Sequence, residues 1–321
     1  MNWRSCARPI LLAAVAAGCS APATRAVLPA AASLAPAFVR VGSREGGRLT
    51  VRQVPLEEYV QAAILSEFAP ATGDPDVVER MFEVQAVVGR TYAISQFGRH
   101  AREGFDVCTT THCQLYQPSR LRTSRWAAQA IEAVHRTANT VLWFDGAAAS
   151  ALFHADCGGR TSRPVDVWGT AARPYLVAID DDGPAETAHT VWRYEAGRAE
   201  VQKALNADPR TRVGKQFDGL QVVDRDASGR AEHVALHGTD ERIVRGDALR
   251  DVLSQSFGAR SVKSTWLDIR RDGATFVFEG RGFGHGVGLC QAGALARIRA
   301  GVRLPAVLQK YFPGTKLVTL R

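Results

Sequence analysis

The chain has 321 residues, 46% hydrophobic and 22% charged, an ordinary globular composition with room for one large domain or two small ones. Lys and Arg number 40 against 32 Asp and Glu, a formal charge of +8. The basic residues are scattered and form no block, which argues against nucleic acid and suits an anionic polymer such as a cell wall.

Arg4 and Arg8 precede a short apolar stretch, residues 10–17, and then Gly18-Cys19-Ser20. That pattern is a secretory signal, too short to span a bilayer. Ala16-Ala17-Gly18-Cys19 resembles a bacterial lipobox, with Ala where Leu is usual, so residues 1–18 read as a lipoprotein signal and Cys19 as the lipidated residue. Plain secretion is the alternative, and either way the mature protein works outside the cytoplasm. Residues 19–37 are Ala/Pro-rich and read as a tether, leaving residues 38–321 for the folded part.

Residues 38–54 predict a strand pair with a Gly46-Gly47 turn. Helices follow at 55–68 and 75–98, then a cysteine-bearing loop to about residue 120 and a helix at 123–137. Strands are expected at 140–144 and 150–155. Residues 195–275 are strand-rich, with helices near 197–206 and 246–254, and the chain closes with helices at 291–300 and 304–312. Helices and strands are segregated instead of alternating, which predicts the α+β class.

In the first helix Leu56, Tyr59, Val60, Ala63 and Ile64 form an apolar stripe, and the next position on it is Glu67. Burial and the negative helix end both disfavour its charge. A carboxylic acid kept protonated near neutral pH suits general-acid chemistry on a glycosidic oxygen. The competing reading is that Glu67 frays into solvent or pairs with an arginine. Arg90 flanks the stripe of the following helix, where it could solvate a face or reach a carboxylate or sugar.

His100, Cys108, His112 and Cys113 offer two nitrogens and two sulfurs, the set zinc prefers, and four protein ligands imply a structural ion. A Cys108–Cys113 disulfide is the open alternative. Cys157 and Cys290 each sit by a glycine-rich turn and are either paired or free. In GRGFGHGVGLCQAGA every second residue from Gly280 to Gly288 is glycine. In an extended chain this makes a bare face against which a ligand lies, with His285 presented opposite. The competing reading is a bulge or tight turn in a crowded core.

Four stretches resemble one family, the stage II sporulation protein D / amidase-enhancer LytB family. They are VPLEEYVQAAILSEF with QAVVGRTYA; CTTTHCQLYQ; ALFHADCGGRTSRPVDVWG with PYL; and GRGFGHGVGLCQAGA with KYFPGT. They span residues 50–317, with 195–275 matching only loosely. The resemblance implies a single large SpoIID-like catalytic domain with a glycan-binding groove. It also implies a lytic transglycosylase that cleaves peptidoglycan strands already stripped of stem peptides.

The resemblance puts the family's catalytic glutamate at Glu67, its arginine at Arg90 and its histidine at His285, and it supports a His/Cys zinc cluster near Cys108 to Cys113. Two departures stand out: Glu83 replaces a lysine found in some members, and Phe68-Ala69-Pro70 replaces the commoner Met-Pro. On this reading Gly284 and Gly286 let the glycan approach the backbone, and Tyr116, Tyr175 and Tyr311 are candidate sugar platforms. The expected partners are glycan strands and a cell-wall amidase. The rival functions are a non-catalytic, peptidoglycan-bound amidase activator and a zinc hydrolase acting on stem peptides.

Overall fold

A computed structural model describes residues 35–68, 70, 73–181 and 190–321, so the leader, Cys19 and nearly all of the tether lie outside the described residues. Strands Phe38–Glu45 and Arg48–Pro55 form an antiparallel hairpin closed by Gly46 and Gly47, both at positive φ. That is the two-residue turn whose twist matches paired strands. Val39, Val41 and Val54 point inward, and the short strand Val107–Cys108 adds in parallel beside the first strand.

The chain then enters the helix Leu56–Glu67, whose predicted stripe is buried throughout. The long helix Pro75–Ser95 starts from Asp74, whose carboxylate accepts the N–H groups of Asp76 and Val77, with Pro75 at the first helical position. This helix is buried on both sides. Val78, Phe82, Ala86 and Ala93 join a core with the hairpin, the first helix and helix Ala127–Arg136. Met81, Val84, Val87 and Val88 join a second core with the C-terminal segments. Its first turns keep Asp76 and Arg80 exposed, but from Met81 to Ala93 every residue except Glu83 is buried, and this stretch is the axis on which the fold is hung.

The second core holds strand Thr140–Phe144, which pairs antiparallel with Lys316–Thr319 and with Ala147–Ala148. It also holds helices Gln291–Arg299 and Leu304–Tyr311. The strand-rich segment has a core of its own, built from residues between Trp192 and Phe278. Two three-stranded antiparallel sheets enclose it, each with a helix, Arg198–Asn206 and Gly246–Phe257. Helices and strands occupy several small, separate sheets and layers, which is the α+β class.

Two elements differ from expectation. The helix at 123–137 is broken into Arg120–Thr123 and Ala127–Arg136, because Ser124 is extended and its hydroxyl takes the Trp126 N–H at 3.2 Å. Serine competes with the helix ladder in this way. The strand expected at 150–155 shrinks to Phe153–His154. Its partner Leu289–Cys290 runs straight into a helix, so the parallel ladder ends after two residues.

Candidate functional site

Glu67 ends the first helix with its side chain partly buried, and the backbone N–H of Leu115 donates to its Oε1 at 2.6 Å. Burial pushes the carboxyl up to about 7, against the opposing pull of that N–H. Among the described residues no cation pairs with it. The donated N–H makes Oε1 the carbonyl oxygen of the neutral acid and leaves Oε2 to carry the proton.

The loop that supplies Leu115 is fastened on both sides. Gln117 N–H donates to Ser66 Oγ at 3.0 Å, Tyr59 hydroxyl donates to Gln114 Oε1 at 3.1 Å, and Tyr116 stacks on Tyr59 at 5.0 Å. From the other side, Gln291 reaches the Glu67 carbonyl oxygen at 3.5 Å. Gln291 lies three residues beyond Gly288, so the C-terminal end of the glycine run does come up to Glu67. Leu115 and Gln291 were missed by sequence reasoning, although both stand in quoted motifs, CTTTHCQLYQ and GVGLCQ. One acts through its backbone and the other on a backbone, which leaves no side-chain pattern to read.

The glycine run is not the extended wall the alternation suggests. The strand Thr275–Arg281 ends, and Gly282, Gly284, Gly286 and Gly288 all take positive φ, from +75° to +108°. A Cβ on Gly284 would sit 2.8 Å from His154 Cβ, on Gly286 2.5 Å from the Arg230 guanidinium carbon, and on Gly288 inside contact distance of the Leu152 carbonyl. The close approach is therefore made by the protein's own chain, in a crowded core. Gly288→Ala is expected to destabilise the fold by at least about 2 kcal/mol, from the left-handed backbone and the overlap together. A thermal melt compared with Gly46→Ala, where nothing lies within 4 Å, separates the overlap from the backbone contribution.

His285 is likewise engaged inward. Its Nδ1 accepts the Val287 N–H at 3.0 Å, its other hydrogen bond goes to the Phe153 backbone, and burial lowers its pKa to about 3, holding the ring neutral. Its ring lies against those of His154 and Trp168.

Arg90 is fully buried. It makes a bidentate pair with Glu57, at 2.8 and 2.6 Å, and donates to the carbonyls of Thr140, Ala86 and Val134. This corrects the expectation of a sugar contact: Arg90 ties the two helices to the strand Thr140–Phe144. Tyr311 is buried, with its hydroxyl on Asp181, and Tyr175 is buried, with its hydroxyl accepting the Ser150 N–H. Neither presents a platform. Tyr116 is buried as well, stacked on Tyr59, and of the three it is the one next in the chain to Leu115.

His100, Cys108, His112 and Cys113 do come together, their ligand atoms all within 4.8 Å of one another. Cys113 Sγ is 3.4 Å from His100 Nε2 and 3.7 Å from His112 Nδ1, and Cys108 Sγ is 3.7 Å from the same Nδ1. His100 Nδ1 is 2.7 Å from Glu103, which fixes Nε2 as the lone-pair nitrogen facing the sulfur. The four donors fit a tetrahedral zinc. Arg99 contacts His112 Nε2 at 3.2 Å and has to yield for His112 to ligate through Nδ1.

Residues 44–144 match the family described as Stage II sporulation protein (SpoIID), and residues 185–288, which contain the third core, match a domain of unknown function, DUF8618. The chain is 26% identical over 281 residues to stage II sporulation protein D of Bacillus subtilis (strain 168), covering 84% of this chain and 76% of that protein. It is 26% identical over 271 residues to an uncharacterised protein of Brachyspira hyodysenteriae, covering 84% and 68%. It is also 24% identical over 277 residues to the amidase enhancer of Bacillus subtilis (strain 168), covering 74% of this chain and 38% of that protein.

Proposed function

This chain belongs to the family of stage II sporulation protein D and the amidase enhancer LytB, and from that premise we propose that it cleaves peptidoglycan glycan strands as a lytic transglycosylase. The observation that carries the reading is Glu67: a partly buried carboxyl with no cationic partner among the described residues, pushed up to about 7. It is half protonated near neutral pH, where an acid catalyst is most effective. Glu67 protonates the leaving glycosidic oxygen from Oε2. The resulting carboxylate, held by the Leu115 N–H, then takes the proton of the muramic acid C6 hydroxyl as that oxygen attacks its own anomeric carbon. The internal nucleophile replaces both the water and the second carboxylate of ordinary glycosidases.

The test is incubation with denuded and with intact glycan strands, read by mass spectrometry. New 1,6-anhydro-muramyl ends, produced faster from denuded strands, are expected; binding without new ends overturns the reading. That second outcome is the amidase-activator function, which the name of the amidase enhancer favours. The substrate implies an extracytoplasmic site of action, with Cys19 as the proposed lipid anchor.

We also propose one structural zinc on His100, Cys108, His112 and Cys113. With four protein ligands it has no open position, so a zinc hydrolase is disfavoured. Its place is to brace the loop that carries Leu115 to Glu67. Stripping the metal with a chelator is expected to lower the melting temperature, and cleavage falls only as the loop loosens. Release of stem peptides abolished by the chelator would instead revive the hydrolase reading.

A further inference from the structure

Behind the glycine run a second group of ligating side chains comes together, from positions far apart in the chain. His154, Cys157 and Cys290 place one ligand atom each within 4.8 Å of the others, and their exposures are 4%, 0% and 0%. His154 Nδ1 lies 3.1 Å from the Val287 carbonyl oxygen, so Nδ1 carries the hydrogen and Nε2 the lone pair. That Nε2 is buried and has no hydrogen-bond partner among the described residues. Native folds seldom leave such an atom unpaired. A ring that donates one N–H to a backbone carbonyl and keeps the other nitrogen bare is the arrangement of a metal-ligating histidine.

The sulfurs are prepared in a similar way. Cys290 Sγ accepts the N–H groups of Cys157 at 3.2 Å and Gly293 at 3.3 Å, at the start of the helix Gln291–Arg299. Cys157 Sγ accepts the Gly159 N–H at 3.4 Å and donates its S–H to Asp181 Oδ2 at 3.3 Å. Cys290 thus has donors suited to a thiolate, and Cys157 binds a metal by giving up the proton it shares with Asp181. Both thiols are free, and a Cys157–Cys290 disulfide would consume the sulfurs yet leave His154 Nε2 as bare as before. A thiophilic cation answers all three groups at once. With bonds of about 2.0 Å to nitrogen and 2.3 Å to sulfur, tetrahedral ligand atoms stand roughly 3.5–3.8 Å apart, inside the spread found here.

We propose that His154, Cys157 and Cys290 form a second metal site, for a buried thiophilic divalent cation of the zinc class. The site fastens the strand Phe153–His154 to Leu289–Cys290, one residue before the Gln291 that reaches Glu67. It is independent of the glycan-cleaving reading and stands or falls on metal content.

The test uses the purified full chain, kept away from reductant and chelator, with zinc as the probe. A variant lacking the first cluster, Cys108→Ser with Cys113→Ser, is expected to retain about one zinc per chain, lost again on adding Cys290→Ser or His154→Gln. Cobalt in place of zinc should give a thiolate charge-transfer band in the first variant and none in the triple variants. Retention of no metal by a folded first variant overturns the proposal, and so does a peptide map joining Cys157 to Cys290. Should the variants fail to fold, anomalous diffraction of the unaltered protein at the zinc edge decides. A peak among these three side chains is expected, and its absence there overturns the site.

Discussion

Glu67→Gln is expected to cut production of 1,6-anhydro ends by about 100- to 10,000-fold, the usual range for loss of a positioned general acid. Gln keeps the shape and can still accept the Leu115 N–H, so the change isolates the proton. With the unaltered protein, kcat/KM should hold steady at low pH and fall above an apparent pKa of about 7, because only the protonated acid is competent.

The same shift has an opposite face in stability. Between the ordinary value of 4.5 and about 7 the unfolded chain has released the Glu67 proton while the folded chain retains it. The unfolded state then binds fewer protons, so stability falls through this window as pH rises and levels off above it, by at most about 3 kcal/mol. Glu67→Gln should therefore melt higher than the unaltered protein above pH 7 and equally at pH 4. A variant that is inactive and more stable is the signature of a strained acid; one that is fully active removes Glu67 from the chemistry.

Arg90→Ala is expected to lower the unfolding free energy by about 3–5 kcal/mol, the range for breaking one side of a buried ion pair. Truncation strands the half-buried Glu57 and leaves the carbonyls of Thr140 and Val134 without their shared donor. Arg90→Lys should rescue little, because an ammonium cannot span both Glu57 oxygens while reaching Thr140. Urea unfolding measures the loss. Unchanged stability together with a raised KM for glycan would return Arg90 to the sugar-binding role.

The route to Glu67 was legible because a helical stripe is local: five apolar positions fix the face, and the sixth falls on the same face wherever the rest of the chain goes. The cluster of His100, Cys108, His112 and Cys113 was legible for a similar reason, since one short loop carries nearly all of it. The glycine run misled because a period of two has two physical sources. An extended strand gives it, and so does a chain that alternates left-handed and ordinary residues, and only remote neighbours such as Leu152, His154 and Arg230 select between them. Arg90 misled because a helix with one apolar stripe implies one wet face. Here Glu57, Val134 and Thr140 close over Arg90 from other elements, and no pattern within the helix announces them. The interest of His154 comes from an unpaired nitrogen, which is defined only once Val287 is in place.

The segment with its own core leaves and rejoins the chain side by side. Thr190 and Gly282 are hydrogen-bonded to each other where the chain leaves and returns, and Asp156 takes the Thr190 N–H at 2.5 Å. Several side chains fasten this module to the rest: Arg245 donates to the carbonyls of Val165 and Val167, Asp226 accepts the Ser162 hydroxyl, and the deepest tie is Arg230. That side chain crosses out of the module, donates to the carbonyls of Cys157 and Arg160, and fills the space a side chain at position 286 would need. A few polar side chains thus act as dowels between two separate cores. Drift in the module's own sequence is free so long as it still delivers those groups, and deleting the module hollows out the backing of the glycine run as well as shortening the chain.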